Sequence, residues 1–130
     1  MLDNSDMIFV FGSNKAGRHG AGAALYAHTY HNAEYGVGEG LTGSCYALPT
    51  KGYKIESIPI SEVADAIALF LKTATHLDLA KFKVTQIGCG LGGFTSEQIA
   101  PFFRDAPNNC YFDEAWREYL GDDAKYWGAF

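Results

Sequence analysis

The chain has 130 residues, 48% hydrophobic and 19% charged, with a formal net charge of −5. That is the length of one domain with enough apolar material for one core, and an aromatic share of 15% without a long polar tract excludes a disordered chain. The negative charge excludes nucleic-acid binding through a general basic field, but not an anionic small ligand, because backbone N–H groups and helix N-termini hold phosphate without side-chain cations.

In chain order, Met7–Phe11 is a compact apolar run that stops at Gly12-Ser13-Asn14, the pattern of a buried strand. Lys15 to Gly22 is too glycine-rich for a regular element, and from about Ala21 to His31 the residues Ala24, Leu25 and His28 share a helical face. Gly36, Gly38, Gly40 and Gly43 mark a loop or a pair of turns. Cys45–Pro49 reads as a short strand. Ile60, Val63, Ala64, Ile67, Leu71 and Ala74 form one helical stripe, with Ser61 as its expected cap and Glu62 at its positive end. Phe82–Ile87 is a second clean strand, followed at once by Gly88-Cys89-Gly90-Leu91-Gly92-Gly93. Thr95 and Gln98 have capping-box spacing, and Pro101 requires a kink or a 3-10 turn. Asn109–Phe112 reads as a last strand and Ala115–Leu120 as a short helix. The aromatic tail, Lys125 to Phe130, is expected to pack on the domain or on a partner chain.

Strands alternating with helices predict a single α/β domain over residues 1–130, with a mostly parallel mixed sheet covered on both faces in three α/β/α layers. No apolar run approaches the roughly 18 residues that cross a bilayer, and the start Met1–Asn4 has no basic n-region. Three widely spaced cysteines, Cys45, Cys89 and Cys110, read as reduced thiols. A soluble cytoplasmic protein is the expectation.

A glycine-rich segment follows a strand and precedes a helix twice. Ligands of α/β sheets sit at the carboxyl ends of the strands. Glycine there lets the backbone approach a phosphate closely and aim successive N–H groups at it. Two such loops suit a diphosphate held from both sides. No Gly-Lys-Ser/Thr closes the first loop, so it is no Walker loop, and its spacing departs from the dinucleotide fingerprint.

Three segments carry a family resemblance: Arg18-His19-Gly20-Ala21-Gly22-Ala23-Ala24, Ala47-Leu48-Pro49-Thr50-Lys51, and Gln86-Ile87-Gly88-Cys89-Gly90-Leu91. In order and spacing they resemble the macrodomains, and most of all the subclass containing the terminal ADP-ribose protein glycohydrolase. The resemblance spans about Ile8 to Arg104. It implies ADP-ribose, or an ADP-ribosylated substrate, in a cleft at the strand ends. Gly20, Ala21 and Gly22 would contact the distal ribose and diphosphate, and Gly88, Cys89, Gly90, Leu91, Gly92 and Gly93 would close over the diphosphate. Phe94 and Asn14 would lie beside the distal ribose. In that subclass a lysine attacks the sugar carbon and an aspartate after Gly-Cys-Gly-Leu assists. Lys51 stands at a lysine-compatible position, but the aspartate position is Gly92. Little chain precedes Met7 to supply the family's usual first strand and adenine-binding aspartate, for which Asp3 or Asp6 would have to substitute.

The residues offer three candidate chemical groups. Lys51 can form a Schiff base if desolvated; His19 can touch a phosphate or transfer a proton near neutrality; Glu39, on the glycine-rich loop, can serve as general base. Each also has a plain reading, as a solvated lysine, a loop histidine and a loop charge. His28 and His31 read as helix surface or packing residues. Cys89 reads as small filler or as a thiol activated at a helix N-terminus. Asp113, Glu114, Arg117 and Glu118 read as a charged, exposed helix face. No Cys or His pairs have zinc-ligand spacing, so neither a metal nor another cofactor is expected. Two functions remain open: a hydrolase of an ADP-ribosyl linkage, and a non-catalytic reader or sequestering module. A lysine-decarboxylase-like nucleotide enzyme ranks below both, since no acidic pair follows a Pro-Gly-Gly motif. A purely structural role leaves the paired loops unexplained.

Overall fold

The computed structural model describes residues 6–129. Six strands form one sheet in the order β2-β3-β1-β4-β5-β6, with β1 Ile8–Asn14, β2 Gly40–Thr42, β3 Cys45–Lys51, β4 Phe82–Val84, β5 Cys110–Asp113 and β6 Lys125–Gly128. All neighbours are parallel except β2 and β3. The helices are α1 Gly22–Tyr30, α2 Ile60–His76, α3 Ser96–Ile99 and α4 Arg117–Leu120. None among the described residues is long and apolar enough to cross a membrane.

Alternation along β1 builds the layers. Phe9 and Phe11 face α1 and pack with Ala24, Ala27, Cys45 and Ala47. Val10 faces the opposite way, into a larger core with Leu48, Val63, Ile67, Phe70, Phe103 and Trp116. The sheet is thereby covered on both faces, as expected. Phe70 anchors the larger core, with its ring edge-on to Tyr46, Phe82 and Phe103.

The helices differ from their expected faces. In α1 the buried residues are Ala24 and Ala27, and Leu25 and His28 point outward; only small side chains fit where the helix lies close on β1. In α2 the buried stripe is Val63, Ala66, Ile67, Phe70 and Ala74. Large Phe70 turns the helix toward itself and leaves Ile60 half exposed. Pro59, not Ser61, is the N-cap, with no side-chain cap bond, while Glu62 does sit in the first turn and pairs with Lys15 at 2.6 Å. The Thr95–Gln98 capping box is present with both reciprocal bonds, and Pro101 is the second residue of the 3-10 turn Ala100–Phe103 that follows α3.

The tail is a strand. β6 pairs in parallel with β5 at the sheet edge, and buried Trp127 donates its indole N–H to Val84 O at 2.9 Å. A strand contributed from the C-terminal end therefore flanks β5. Phe130 lies outside the described residues.

Candidate functional site

The carboxyl ends of β1, β3, β4 and β5 converge on one cleft, and both glycine loops lie along it. Its floor is Gly12 at the end of β1 and Thr50 at the end of β3, with the Thr50 hydroxyl donating to Ser13 O at 3.3 Å. The first loop supplies Gly20, Ala21 and Gly22, the last of which opens α1. The second supplies Gly88 to Gly92 and ends in the 3-10 turn Gly90–Gly92, closed by left-handed Gly93. The loops meet across the cleft: a Cβ built on Gly22 would stand 3.1 Å from Leu91 Cδ1. Gly22 has a positive φ of 57°, open to glycine at little cost.

This pinch divides the cleft into two lobes that share Gly12, Ala21, Ala24, Thr50, Leu91 and Gly92. One lobe, of about 350 Å³, adds Thr85, Gln86, Gly88, Cys89, Gly90 and Asp113. The other, of about 410 Å³, adds Ser13, Asn14, Arg18, Tyr35, Lys51 and Ile55. The first holds a carboxylate and no cation; the second holds two cations and no carboxylate.

Asp113 corrects the sequence reading of an exposed helix face. It ends β5, is 2% exposed, and accepts the Ala115 N–H at 2.9 Å. Its partners in that reading, Glu114, Arg117 and Glu118, do lie on the surface side. The signal for Asp113 was available in its place: the last residue of an apolar run, Cys110-Tyr111-Phe112, just before a helix.

Lys51 does line the cleft, and no carboxylate forms an ion pair with it among the described residues. Glu39 does not join it. It borders a separate surface hollow with Lys15, Pro49 and Glu62, because it leads into β2 at the sheet edge, beside the end of β3 but outside the cleft. His19 is also corrected. Its ring is 1% exposed, edge-on to Phe11, with Nε2 3.2 Å from Val37 O, so it packs beneath the loop and not in the cleft.

Asn14 borders the cleft but spends its amide locally. Its side-chain N–H₂ donates to Arg18 O at 2.8 Å, and its oxygen accepts Arg18 N–H at 2.9 Å. Asn14 therefore shapes the first loop. Gly93 and Phe94 stand behind the second loop; the Phe94 ring packs toward the core beside Gly88, and its backbone N–H closes the loop on Gly88 O at 2.9 Å. Asp6 is exposed and borders neither lobe, and Asp3 lies outside the described residues.

Cys89 faces the first lobe as filler. Burial raises its pKa, and its thiol donates to Ile87 O at 3.6 Å, so it is no activated thiolate. Burial also pushes Cys45 up to about 11 and Cys110 up to about 12. Behind the second loop, Ser96 Oγ accepts the buried Trp116 indole N–H at 3.0 Å and donates to Gln86 Oε1 at 3.4 Å, which ties the loop to the core.

No protein-family model and no curated protein matches this chain. Among solved structures, one from Bacteroides thetaiotaomicron, titled as a protein of unknown function, has a TM-score of 0.54 at 16% identity over 76% of this chain and 80% of that one. The chain thus shares an α/β fold with that protein.

Proposed function

We propose that this chain is a macrodomain-like, cytoplasmic module that binds ADP-ribose or a related nucleoside diphosphate sugar, free or attached to a protein, and does not turn it over. One observation carries the reading: two glycine loops face each other across a cleft at the strand ends, so close that a Cβ on Gly22 would stand 3.1 Å from Leu91 Cδ1. Backbone N–H groups of such loops, with the N-terminus of α1 behind the first, offer a diphosphate a cradle that requires no net positive charge. The carboxylate of Asp113 suits the amino-bearing base at one end, and the other lobe receives the far ribose near Lys51. The absence of turnover follows from Gly92. A lysine next to a sugar carbon requires an acid or base to move a proton, and the residues lining the second lobe include no carboxylate or histidine.

A second reading, hydrolysis of an ADP-ribosyl linkage, draws on Lys51 alone. Calorimetric titration with ADP-ribose, with AMP and NAD as controls, followed by product analysis on an ADP-ribosylated peptide, separates the two. The expected result is one-site, saturable binding of ADP-ribose, AMP at least about tenfold weaker for want of the diphosphate, and no released ADP-ribose. Release that Lys51→Ala abolishes would establish the hydrolase. No binding at millimolar ADP-ribose would remove both readings.

A further inference from the structure

His19 lies within the first glycine loop yet is almost wholly buried, at 1% exposure. Its surroundings come from three elements. Phe11 of β1 meets the ring edge-on at 5.4 Å between centroids, His28 of α1 lies 6.1 Å away, and Tyr35 of the following loop lies 5.8 Å away. Nε2 is 3.2 Å from Val37 O and donates to it, which leaves Nδ1 with the lone pair. Nδ1 is buried and has no hydrogen-bond partner among the described residues. The titratable groups facing the ring are His28 and Tyr35, and neither is a carboxylate that would stabilise an imidazolium.

The same socket sets the shape of the binding loop. Arg18 and Gly20, on either side of His19, border the cleft, as does Tyr35, whose ring rests on it. The Gly36 N–H donates to Gly17 O at 2.8 Å, so the two loops are joined just before His19.

We propose that His19 is a proton-operated latch on the first glycine loop. Neutral, it seats the loop in its binding shape; protonated, it leaves its socket and the loop loses that shape. The inference rests on the reading of the cleft as a nucleotide site and adds its regulation. Protonation places an N–H on Nδ1, for which the described residues offer no acceptor, in an aromatic socket beside a second histidine, and a buried donor without a partner is costly. Burial accordingly lowers the pKa of His19, against the opposing pull of the bond to Val37 O and with a smaller push from His28. The sign follows from linkage. Below the ordinary imidazole value of about 6.5 the unfolded or opened chain binds more protons than the closed one. The closed loop is therefore fully stable above that value and is lost as pH falls through the lowered value. A diphosphate diester keeps both charges over this range, so the ligand does not contribute the effect.

The test compares wild type, His19→Phe and His31→Phe at about pH 7.5 and about pH 5.5. His31 is the control because burial and Lys83 lower its pKa too, but its ring stacks on Phe9, away from the cleft. ADP-ribose affinity is measured by calorimetry, and amide-exchange protection of Arg18–Gly22 is measured without ligand. Wild type and His31→Phe are expected to lose affinity at the acid pH, by up to the roughly tenfold that one proton with an opened-state value of about 6.5 can supply, with a parallel fall in protection, and His19→Phe to lose neither. A flat wild-type profile, or an equal fall in His19→Phe, overturns the latch. Should His19→Phe fail to fold, the wild-type imidazole resonance of His19 decides: protonation without a fall in loop protection also overturns it. Absence of ADP-ribose binding at either pH defeats the nucleotide reading, while the exchange data still report on the latch.

Discussion

Gly12→Leu is expected to abolish nucleotide binding while the protein still folds. Gly12 is the one residue of β1 whose missing side chain opens directly on both lobes. Its φ is not in the left-handed region, so a side chain brings no backbone strain. A Cβ there would meet Gly88 N at 3.4 Å and Thr50 Oγ1 at 3.5 Å, ordinary contacts on the cleft floor. The remaining carbons of leucine then occupy the space beneath the second loop that the diphosphate requires. Affinity for ADP-ribose should fall by at least about 100-fold, which corresponds to about 2.8 kcal/mol. Stability should fall by no more than the roughly 1–3 kcal/mol typical of added bulk in a packed region. Calorimetry and denaturant unfolding on the same samples check both. Unchanged affinity would place the ligand elsewhere.

Gly17→Ala carries the largest expected effect on stability. Gly17 has φ at +70°, and a Cβ there would overlap the carbonyl carbon of Gly36 and stand 2.5 Å from Val37 N. Both are backbone atoms, joined to Gly17 by the Gly36 N–H bond to its carbonyl, and neither can turn aside as a side chain would. Left-handed backbone in alanine costs about 1–2 kcal/mol and forced overpacking about 1–3 kcal/mol. A loss of several kcal/mol is a large share of the 5–15 kcal/mol typical of a domain. Gly20→Ala, three residues on, should be nearly silent in stability, because nothing lies within 4 Å of its Cβ position and its φ is not left-handed. Denaturant midpoints for the two variants should differ clearly; similar midpoints would show that the loop repacks around the added methyl.

That pair also shows what a sequence conceals. The run from Gly17 to Gly22 reads as one phosphate-binding motif, yet Gly17 serves packing between loops, Gly20 is open to solvent, and Gly22 faces Leu91. Spacing records that glycine is required but not which atoms require it. The layered sheet was legible because Met7–Phe11 is an unbroken apolar run stopped by turn residues and α2 carries a helical stripe, and the loops were legible because each follows a strand. The rest depended on long-range packing. β6 was hidden in an aromatic tail, because Trp127 gains its meaning only from Val84, 43 positions away. Glu39 and His19 have suitable chemistry on suitable loops, yet the edge position of β2 keeps one outside the cleft and the socket beneath the loop swallows the other. Asp113 was read with the charges that follow it, and only its seat at the end of β5 brings it to the cleft.

Backbone amide resonances of the isotopically labelled protein, followed as ADP-ribose is added, test whether the two loops hold the ligand. Saturable shifts are expected on Gly12, Gly20–Gly22 and Gly88–Gly92, with Asp113 and Lys51 perturbed at the two ends and the surface hollow around Glu39 unmoved. Saturable shifts centred elsewhere, or no shifts at millimolar ligand, would contradict that placement.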